Sequence, residues 1–483
     1  MYKNYLLLFL SFLLGGQAAF AQSADEKVNR ALYNQIEYLF NTQQADSIYQ
    51  LANPTFQAQI SQEQLSTTLQ QLYALGNIRN AERIKFERGI ASYRLDFDTE
   101  RLLLVLGVDS TNRYHTILFQ QYKEDATEKL AQETSINDTT TSAQAMDPFE
   151  FKLRNIANTY TQKTNARSLA IGIIHRGQVQ KYFFGETKKG NKTLPTEESV
   201  YEIGSLTKTF TATLLADLVE REVISLDDSI VKFLPDSIAK NPALQKITFR
   251  SLANHTSGLP RLPDNWNKTS SFVETDPYAH YDRKALFTYL RDAKLDHEPE
   301  TEYAYSNLGY GLLGELLAII SKKSFDTYLK ETLTSPLHMR ATELKPDAKN
   351  ANILTVYRDG TAVPIWNWKA MAGAGAIKST IDDMLRYAIT QLATPENAIQ
   401  RAMSATKLFT FYIPEDNMDI GLGWHTDLLE DQNLFWHNGG TAGSSSFMAI
   451  IPDERSAVIV LSNSNEPVDE TALAIIREVI KKK

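Results

Sequence analysis

The order of strand and helix patterns along residues 147–483 is the feature that most restricts the fold of this chain. Two apolar runs, 168–174 and 178–184, flank a short polar turn and predict a β-hairpin. A mainly helical stretch follows, from 205 to about 408. Strand patterns then return at 421–429, 434–436, 446–451 and 457–462, and an amphipathic helix is expected at 469–481. Strands at both ends predict one antiparallel sheet beside a helical lobe, an α+β fold with its active site between the two lobes.

The first 146 residues fall into three segments of different character. Lys3, an apolar run over 5–14 and the triplet Ala19-Phe20-Ala21 predict a signal peptide over residues 1–21, cleaved after Ala21. Residues 123–146 are polar and predict a linker. The apolar run is shorter than the ~20 residues of a membrane span, so no membrane anchor is expected.

Residues 25–122 predict a small α+β cone-like domain. Helical periodicity at 31–40 and 62–75 precedes strand alternation at 82–86, 92–96, 102–109 and 114–122. The layout and the turn at Asn53-Pro54-Thr55-Phe56 resemble nuclear-transport-factor-2-like domains. Because the segment carries no acid/base cluster, we expect it to have a structural or positioning role.

Composition excludes several classes of function. A net charge of −8 gives no electrostatic reason to expect nucleic acid or an anionic membrane as partner. The absence of cysteine removes disulfides, thiol catalysis and thiolate metal sites, and the eight histidines form no H-x-x-H pair, so no metal or other cofactor is expected. With the signal peptide, this composition predicts a protein secreted or in a bacterial periplasm. The oligomeric state stays open.

Ser205 and Lys208 form the first candidate catalytic pair. They lie three residues apart where a helix rich in Thr, Ala and Leu begins, so the amine and the hydroxyl share one helical face. An amine that takes the proton of a hydroxyl makes a serine nucleophilic, and the helix N-terminus favours the negative charge that develops there. The same S-x-x-K spacing recurs elsewhere, so spacing alone decides nothing; the other pairs are Ser229 with Lys232, Ser237 with Lys240, and Ser404 with Lys407.

Two later motifs supply candidate partners. Tyr305 and Asn307 precede a helix predicted over 308–320, and side chains two residues apart in extended backbone point the same way. Tyr305 can exchange a proton with the serine or the leaving group, provided that Lys208 lowers the pKa of the phenol from its usual ~10.

The third motif, His437-Asn438-Gly439-Gly440, follows a strand. Its glycines allow another backbone to approach closely, so a substrate could lie along this strand edge. The amides of Ser205 and Gly440 would then form an oxyanion hole. His437 could bind a carboxylate or relay a proton, or it could simply be a strand histidine with one local hydrogen bond.

In this order, Ser205-Leu206-Thr207-Lys208, Tyr305-Ser306-Asn307 and His437-Asn438-Gly439 resemble the S-x-x-K, Y-x-N and [K/H]-x-G motifs of serine β-lactamases and DD-peptidases, with the class C type closest. Further stretches similar to this family are 225–228, 254–260, 372–376 with 379–380, and 421–424. The resemblance covers roughly 147–483 and implies the two-lobe β-lactamase/transpeptidase-like fold.

The resemblance also implies an acyl-enzyme mechanism. Ser205 would attack a carbonyl, Lys208 and Tyr305 would manage its proton, and Asn307 would orient Lys208 and the substrate amide. Asn438, Gly439 and Gly440 would contribute to substrate and oxyanion binding. In relatives the stretch around His255 is a structural turn, and we expect the same here.

A histidine where true β-lactamases commonly have lysine weakens the case for a dedicated β-lactamase, because imidazole is mostly neutral at pH 7. Asn438 replaces a small or hydroxylated residue and leaves carboxylate recognition open. We therefore expect a serine hydrolase of D-amino-acid peptides, β-lactam-like amides or esters. The alternative is a catalytically silent binding or sensor protein with the same fold. The identity of the substrate depends on the shapes of loops such as 264–281, and the sequence pattern does not predict those shapes.

Overall fold

The computed structural model describes residues 22–87, 89–122, 147–268, 270–347 and 349–482. These residues divide into two compact units: the first holds the described residues before the predicted linker together with Leu428–Asn433, and the second holds the rest. The predicted signal peptide and linker lie outside the described residues. Within the described ranges, no helix is both long and apolar enough to cross a membrane.

The first unit packs helices against one antiparallel sheet. The helices are α1 (Gln22–Asn41), α2 (Ala45–Gln50), α3 (Pro54–Gln59) and α4 (Gln62–Tyr73), and the strands, hydrogen-bonded in chain order, are β1 (Ile78–Glu87), β2 (Ile90–Phe97), β3 (Arg101–Val108) and β4 (Tyr114–Gln121). The Asn53 turn is a helix cap, because the Asn53 side chain accepts a hydrogen bond from the Phe56 amide at 2.8 Å and Pro54 begins α3. The resemblance to nuclear-transport-factor-2-like domains stays a prediction.

The second unit contains the predicted sheet. Its eight strands are β5 (Ser168–His175), β6 (Gln178–Gly185), β11 (Phe411–Ile413), β12 (Met418–Ile420), β13 (His425–Leu429), β14 (Gln432–Gly440), β15 (Ser445–Ile451) and β16 (Ser456–Ser462), in the order β11-β12-β13-β14-β15-β16-β5-β6. Antiparallel pairing of β16 with β5, from Ala457 opposite Ile174 to Leu461 opposite Ala170, joins the late strands to the early hairpin. Short pairs form between β7 (Tyr201–Glu202) and β10 (Lys378–Ser379), and between β8 (Val356–Arg358) and β9 (Thr361–Val363).

One predicted strand is wrong in part. The sequence 421–429 was expected to be a single strand, but β13 begins at His425 and residues 421–424 form a turn after β12. The Gly421 amide donates to the Trp424 carbonyl at 2.9 Å, and Gly423 has a φ of +72° that a strand residue does not adopt. The apolar residues of this turn, Leu422 and Trp424, are buried, which is why their pattern resembles a strand.

The helical lobe is built around one buried helix. Its helices are α6 (Thr207–Glu220), α7 (Asp236–Ala239), α8 (Phe249–Ala253), α9 (Arg283–Arg291), α10 (Asn307–Ser321), α11 (Phe325–Leu329), α12 (Ala372–Gly375), α13 (Ile381–Leu392) and α14 (Ala398–Ala405). Two further helices, α5 (Pro148–Thr161) and α15 (Asp469–Ile480), pack against each other and against the sheet. Every residue of α6 from Thr207 to Leu218 is buried, including Lys208, Asp217 and four threonines. Helices α10, α12 and α14 pack on it, and Phe210 stacks on Tyr387 with ring centroids 4.0 Å apart.

Strand β14 lies unusually close to the segment between β7 and α6. A Cβ atom on Gly439 would lie 2.1 Å from the carbonyl oxygen of Ile203 and 2.5 Å from the Oγ of Ser446. That hydroxyl donates a hydrogen bond to the same Ile203 carbonyl at 2.8 Å. Gly439 is therefore required by contact between the sheet and the helical lobe.

This contact predicts a difference between two neighbouring glycines. We expect Gly439→Ala to lower the free energy of unfolding by about 1–3 kcal/mol, because the added methyl group overlaps backbone that cannot move away cheaply. The matched control is Gly440→Ala, whose Cβ would find its nearest neighbour, the Ser444 carbonyl, at 3.9 Å. Urea denaturation measures both variants. Equal losses of stability in the two variants would contradict the close approach at Gly439.

Candidate active site

Ser205 lies in a single 3-10 turn, Gly204–Leu206, between β7 and α6. The sequence places it at the start of the helix, whereas the helix itself begins two residues later, at Thr207. Gly204 has a φ of +50°, and a Cβ on it would lie 2.7 Å from the Gly440 nitrogen. The half-buried Ser205 is thereby held next to the end of β14.

Lys208 is fully buried, and its amine has three oxygen neighbours. Its Nζ lies 3.1 Å from Ser205 Oγ, 2.8 Å from Asn307 Oδ1 and 2.8 Å from the Ala374 carbonyl oxygen. A neutral amine has two N–H donors and one lone pair. The two carbonyl oxygens can accept only N–H groups, so the lone pair of the neutral amine faces the Ser205 hydroxyl. This is the geometry of a general base for that hydroxyl.

The environment favours the neutral form of Lys208. Burial lowers the pKa of Lys208 well below its ordinary value of 10.5, and the positive charge of Arg261 lowers it further. Among the described residues, no carboxylate forms an ion pair with this amine to oppose the shift. Lys208 is therefore suited to act as a base at a pH well below 10.5.

Tyr305 covers the amine, and its ionisation differs from the prediction. The Lys208 Nζ lies 4.8 Å from the centroid of the Tyr305 ring, and the His255 ring lies 4.3 Å from it. Burial raises the pKa of Tyr305 to about 12, although a hydrogen bond with Ser205 and the charge of Arg261 act in the opposite direction. The condition set for proton exchange, that Lys208 lowers the Tyr305 pKa, is not met, because desolvation of the phenol dominates. Tyr305 stays protonated and is a donor.

Asn307 begins α10 and links the amine to an aromatic residue. Ser306 caps this helix by accepting a hydrogen bond from the Gly309 amide at 2.9 Å. The Asn307 side chain accepts from Lys208. It also lowers the pKa of the nearby Tyr278 hydroxyl, against the larger effect of burial, which raises it. Sequence reasoning missed Tyr278, although it lies in the loop 264–281 that was expected to shape the substrate site. It stacks on Trp368 with ring centroids 4.0 Å apart.

His437 lies on β14 and is neutral. Burial lowers its pKa well below 6.5, and the neighbouring His425 and Lys208 lower it further. The His437 Nδ1 lies 2.5 Å from the Asn438 carbonyl oxygen, whereas its Nε2 has no partner among the described residues. With the proton on Nδ1, the buried Nε2 offers a lone pair. The structure therefore favours an acceptor here over an imidazolium that binds a carboxylate.

A second histidine, not anticipated from the sequence, supports His437. The ring of His425 stacks on His437 with centroids 5.3 Å apart, and its Nε2 lies 3.0 Å from the Tyr303 hydroxyl oxygen. Burial lowers the pKa of His425 to about 4. His255 is also buried and accepts a hydrogen bond from the Ser306 amide at 3.1 Å, which fits the structural role expected for it.

The glycines and Asn438 of the third motif face in different directions. Gly440 is exposed, and a Cβ on Gly439 would lie 3.0 Å from the Ser205 nitrogen, so the backbone amides of Ser205 and Gly440 lie in one small region. The Asn438 side chain donates to Asp469 of α15 at 2.6 Å, because alternation along β14 turns it to the opposite face from His437. Only the backbone of Asn438 is left for the substrate role predicted for it.

The other S-x-x-K pairs have different partners. The Ser229 hydroxyl donates to the Gln245 carbonyl, while Lys232 pairs with Asp228. Lys407 donates to the Gln391 side chain. In the part of the chain that the structure describes, no group of three or more histidines, aspartates or glutamates could hold a metal ion.

Comparisons with known proteins identify the family of this chain. A family model described as Beta-lactamase matches residues 153–480, which is more than half of the chain. The chain belongs to the β-lactamase family. As a member of this family it is a serine hydrolase, and the predicted enzyme class is confirmed.

Two curated relatives of this β-lactamase family member illustrate the range of the family. The D-alanyl-D-alanine-carboxypeptidase/endopeptidase AmpH of Escherichia coli strain K12 is 30% identical over 317 residues, covering 62% of this chain and 80% of AmpH. A protein named Beta-lactamase from the same strain is 27% identical over 340 residues, covering 62% of this chain and 84% of its own length.

Solved structures confirm the predicted β-lactamase/transpeptidase-like fold. A β-lactamase/D-alanine carboxypeptidase from Pseudomonas syringae matches with a TM-score of 0.61 at 22% identity, covering 70% of this chain and 99% of that chain. A class C β-lactamase from Rhodobacter sphaeroides matches with a TM-score of 0.60 at 20% identity, covering 68% of this chain and 98% of that chain. At these identities the two structures show the fold alone.

The lowered pKa of Lys208 predicts the acid side of the pH–rate profile. Because the neutral amine is the base, kcat/KM should rise with pH as Lys208 loses its proton, with a midpoint well below 10.5. Lys208→Arg should lose this rise and roughly 10²-fold or more of kcat/KM, because a guanidinium stays protonated. Hydrolysis of a p-nitrophenyl ester between about pH 5 and about pH 10 measures it.

The control for this profile is His437→Gln, which removes a neighbouring imidazole whose pKa is coupled to Lys208. The midpoint should stay in place in this variant even if kcat falls, since burial keeps His437 neutral throughout the range. A midpoint that disappears with His437, or one at the ordinary lysine value, would refute the assignment to Lys208.

Proposed function

We propose that this protein cleaves D-alanyl peptides and related amides or esters through an acyl-enzyme on Ser205. The observation that carries the proposal is the Lys208 amine, whose two carbonyl partners leave its lone pair for the serine hydroxyl 3.1 Å away. The substrate class is supported by AmpH, whose name describes a D-alanyl-D-alanine-carboxypeptidase/endopeptidase.

In the proposed acylation, the proton of the Ser205 hydroxyl passes to Lys208 as Oγ bonds to the substrate carbonyl carbon. The carbonyl oxygen becomes an oxyanion, which the amides of Ser205 and Gly440 bind in this proposal. Collapse of this intermediate breaks the bond to the leaving group, which takes the phenolic proton of Tyr305. The proton held by Lys208 then replaces the one that Tyr305 gave up.

Deacylation uses the same groups in reverse. A water molecule attacks the ester carbon and gives its proton to the Tyr305–Lys208 pair, and the acid product leaves as Ser205 recovers its proton. With a pKa of about 12, Tyr305 keeps its proton until it donates it to the leaving group. Because the pKa of Lys208 is lowered, its amine is available in the neutral form and acts as the base. The two groups are therefore separated in role by their environments.

We also propose that the protein is exported and acts in the periplasm or outside the cell. The basis is the sequence pattern of residues 1–21, which lie outside the described residues. Detection of mature protein that begins at Gln22 in a periplasmic fraction tests this proposal.

The acyl-enzyme is tested by covalent labelling. Wild-type protein should form a 1:1 adduct with a fluorescent penicillin or a fluorophosphonate, and Ser205→Ala should form none. Ser237→Ala is the matched control, because Ser237 has the same spacing to a lysine, at Lys240, and lies exposed outside the site. Intact-mass measurement shows the adduct directly.

Two outcomes would count against the proposal. If wild-type protein forms no adduct and hydrolyses neither nitrocefin, a p-nitrophenyl ester nor a D-alanyl-D-alanine peptide, the binding-protein alternative replaces it. If Ser205→Ala is labelled as strongly as wild type, the nucleophile has been assigned to the wrong residue.

A further inference from the structure

Arg261 stands at the exposed rim of the site, and no motif drew attention to it. Its guanidinium carbon lies 5.0 Å from the centroid of the Tyr305 ring, and the residue is exposed. Its positive charge acts to lower the pKa of Lys208, of His255 and of Tyr305, although burial raises the pKa of Tyr305 overall. Arg261 is thus the permanent cation of a site whose interior groups are neutral.

The backbone around Arg261 is fixed to the start of α10. The Arg261 carbonyl accepts hydrogen bonds from the amides of Asn307 and Leu308 at 3.1 and 3.2 Å. The preceding carbonyl, that of Pro260, accepts from the Ser306 hydroxyl at 2.7 Å. The guanidinium is therefore carried by a segment that is tied to the same helix start as Tyr305 and Asn307.

The guanidinium has hydrogen-bonding capacity to spare. Across the described ranges, none of the ion pairs includes Arg261 and no carboxylate hydrogen-bonds to its side chain. An exposed arginine beside a catalytic phenol, without an acidic partner of its own, can bind a planar anion through two parallel N–H groups.

The usual anchor for a substrate carboxylate is weakened in this chain. His437 is neutral and offers a lone pair, so it cannot attract an anion by charge. The Asn438 amide is taken by Asp469. Recognition of a carboxylate therefore needs a cation from another element.

We propose that Arg261 binds the carboxylate that the substrate carries on its leaving group, one residue beyond the bond that Ser205 attacks. Tyr305 donates its proton to the leaving group, and Arg261 lies over the ring of Tyr305, so the two residues contact the same half of the substrate. This inference rests on the proposed function and adds a specificity-determining residue to it. It makes the enzyme selective for leaving groups that end in a free acid, such as a terminal D-alanine.

The test compares acids with their neutral derivatives. The probes are benzylpenicillin against its methyl ester, and a D-alanyl-D-alanine peptide against its C-terminal amide. Wild type should prefer each acid, and Arg261→Gln should lose about 10- to 100-fold of this preference, mainly through a higher KM for the acid. Arg261→Lys should retain part of the preference, because it keeps the charge and loses the bidentate geometry.

The ratio of acid to neutral rates separates binding from other effects of the substitution. Loss of the Arg261 charge also raises the pKa of Lys208, which slows both members of each pair equally and leaves their ratio unchanged. Arg291→Gln is the control, since Arg291 is exposed on α9 and pairs with Asp292 at 3.0 Å. Its ratio should equal that of wild type.

A failure of the Arg261 inference can be distinguished from a failure of the proposed function. If wild type prefers the acids and Arg261→Gln prefers them equally, the assignment of Arg261 is overturned and the proposed function stands. If wild type turns over acids and neutral derivatives at the same rate, no carboxylate anchor exists at this site and the inference is again overturned. A wild type that reacts with none of the four probes overturns the proposed function and this inference with it.

Discussion

The buried amine of Lys208 sets the requirement that the surrounding structure meets. Burial of a lysine without a carboxylate is costly unless the group becomes neutral and its N–H donors find acceptors. Here the acceptors come from Asn307 at the start of α10 and from Ala374 in α12. Helix α12 can approach α10 because Gly373 has no Cβ atom. A Cβ at this position would lie only 2.6 Å from the Tyr310 carbonyl oxygen of α10. The same arrangement that stabilises the neutral amine directs its lone pair to Ser205.

The site separates neutral groups inside from charge at its rim. Three imidazoles, those of His255, His425 and His437, lie close to Lys208, and burial holds the pKa of each well below its ordinary value. A charge on any of them would repel a protonated lysine at short range. With the interior uncharged, the proton that Lys208 accepts is the main change of charge during acylation. The permanent cation, Arg261, is exposed at the rim, where water screens its effect on the reacting groups.

Several parts of the fold follow from local patterns. The hairpin of β5 and β6, strands β15 and β16, and α15 match their apolar periodicity to within one residue at each end, whereas β11 and β12 were not predicted. The strand prediction fails at 421–424, because buried apolar residues in a turn give the same sequence pattern as a strand. The positive φ of Gly423 distinguishes the turn from a strand. The Tyr305 pKa was misjudged for a related reason. The motif shows that a lysine is near, but desolvation depends on what else packs around the phenol.

Residue type and spacing alone identify the family, the order of the three motifs and the serine, lysine, tyrosine and histidine that carry them. The chemistry of these four groups depends on how the chain packs around them. Hydrogen bonds to Asn307 and Ala374 set the direction of the Lys208 lone pair. The hydrogen bond to Asp469 occupies the Asn438 side chain, which therefore does not bind a substrate carboxylate. Tyr278, His425 and Arg261 entered the site through long-range packing. Burial and charge act through space, so residues far apart in the chain fix the protonation of each group, and no local pattern records them.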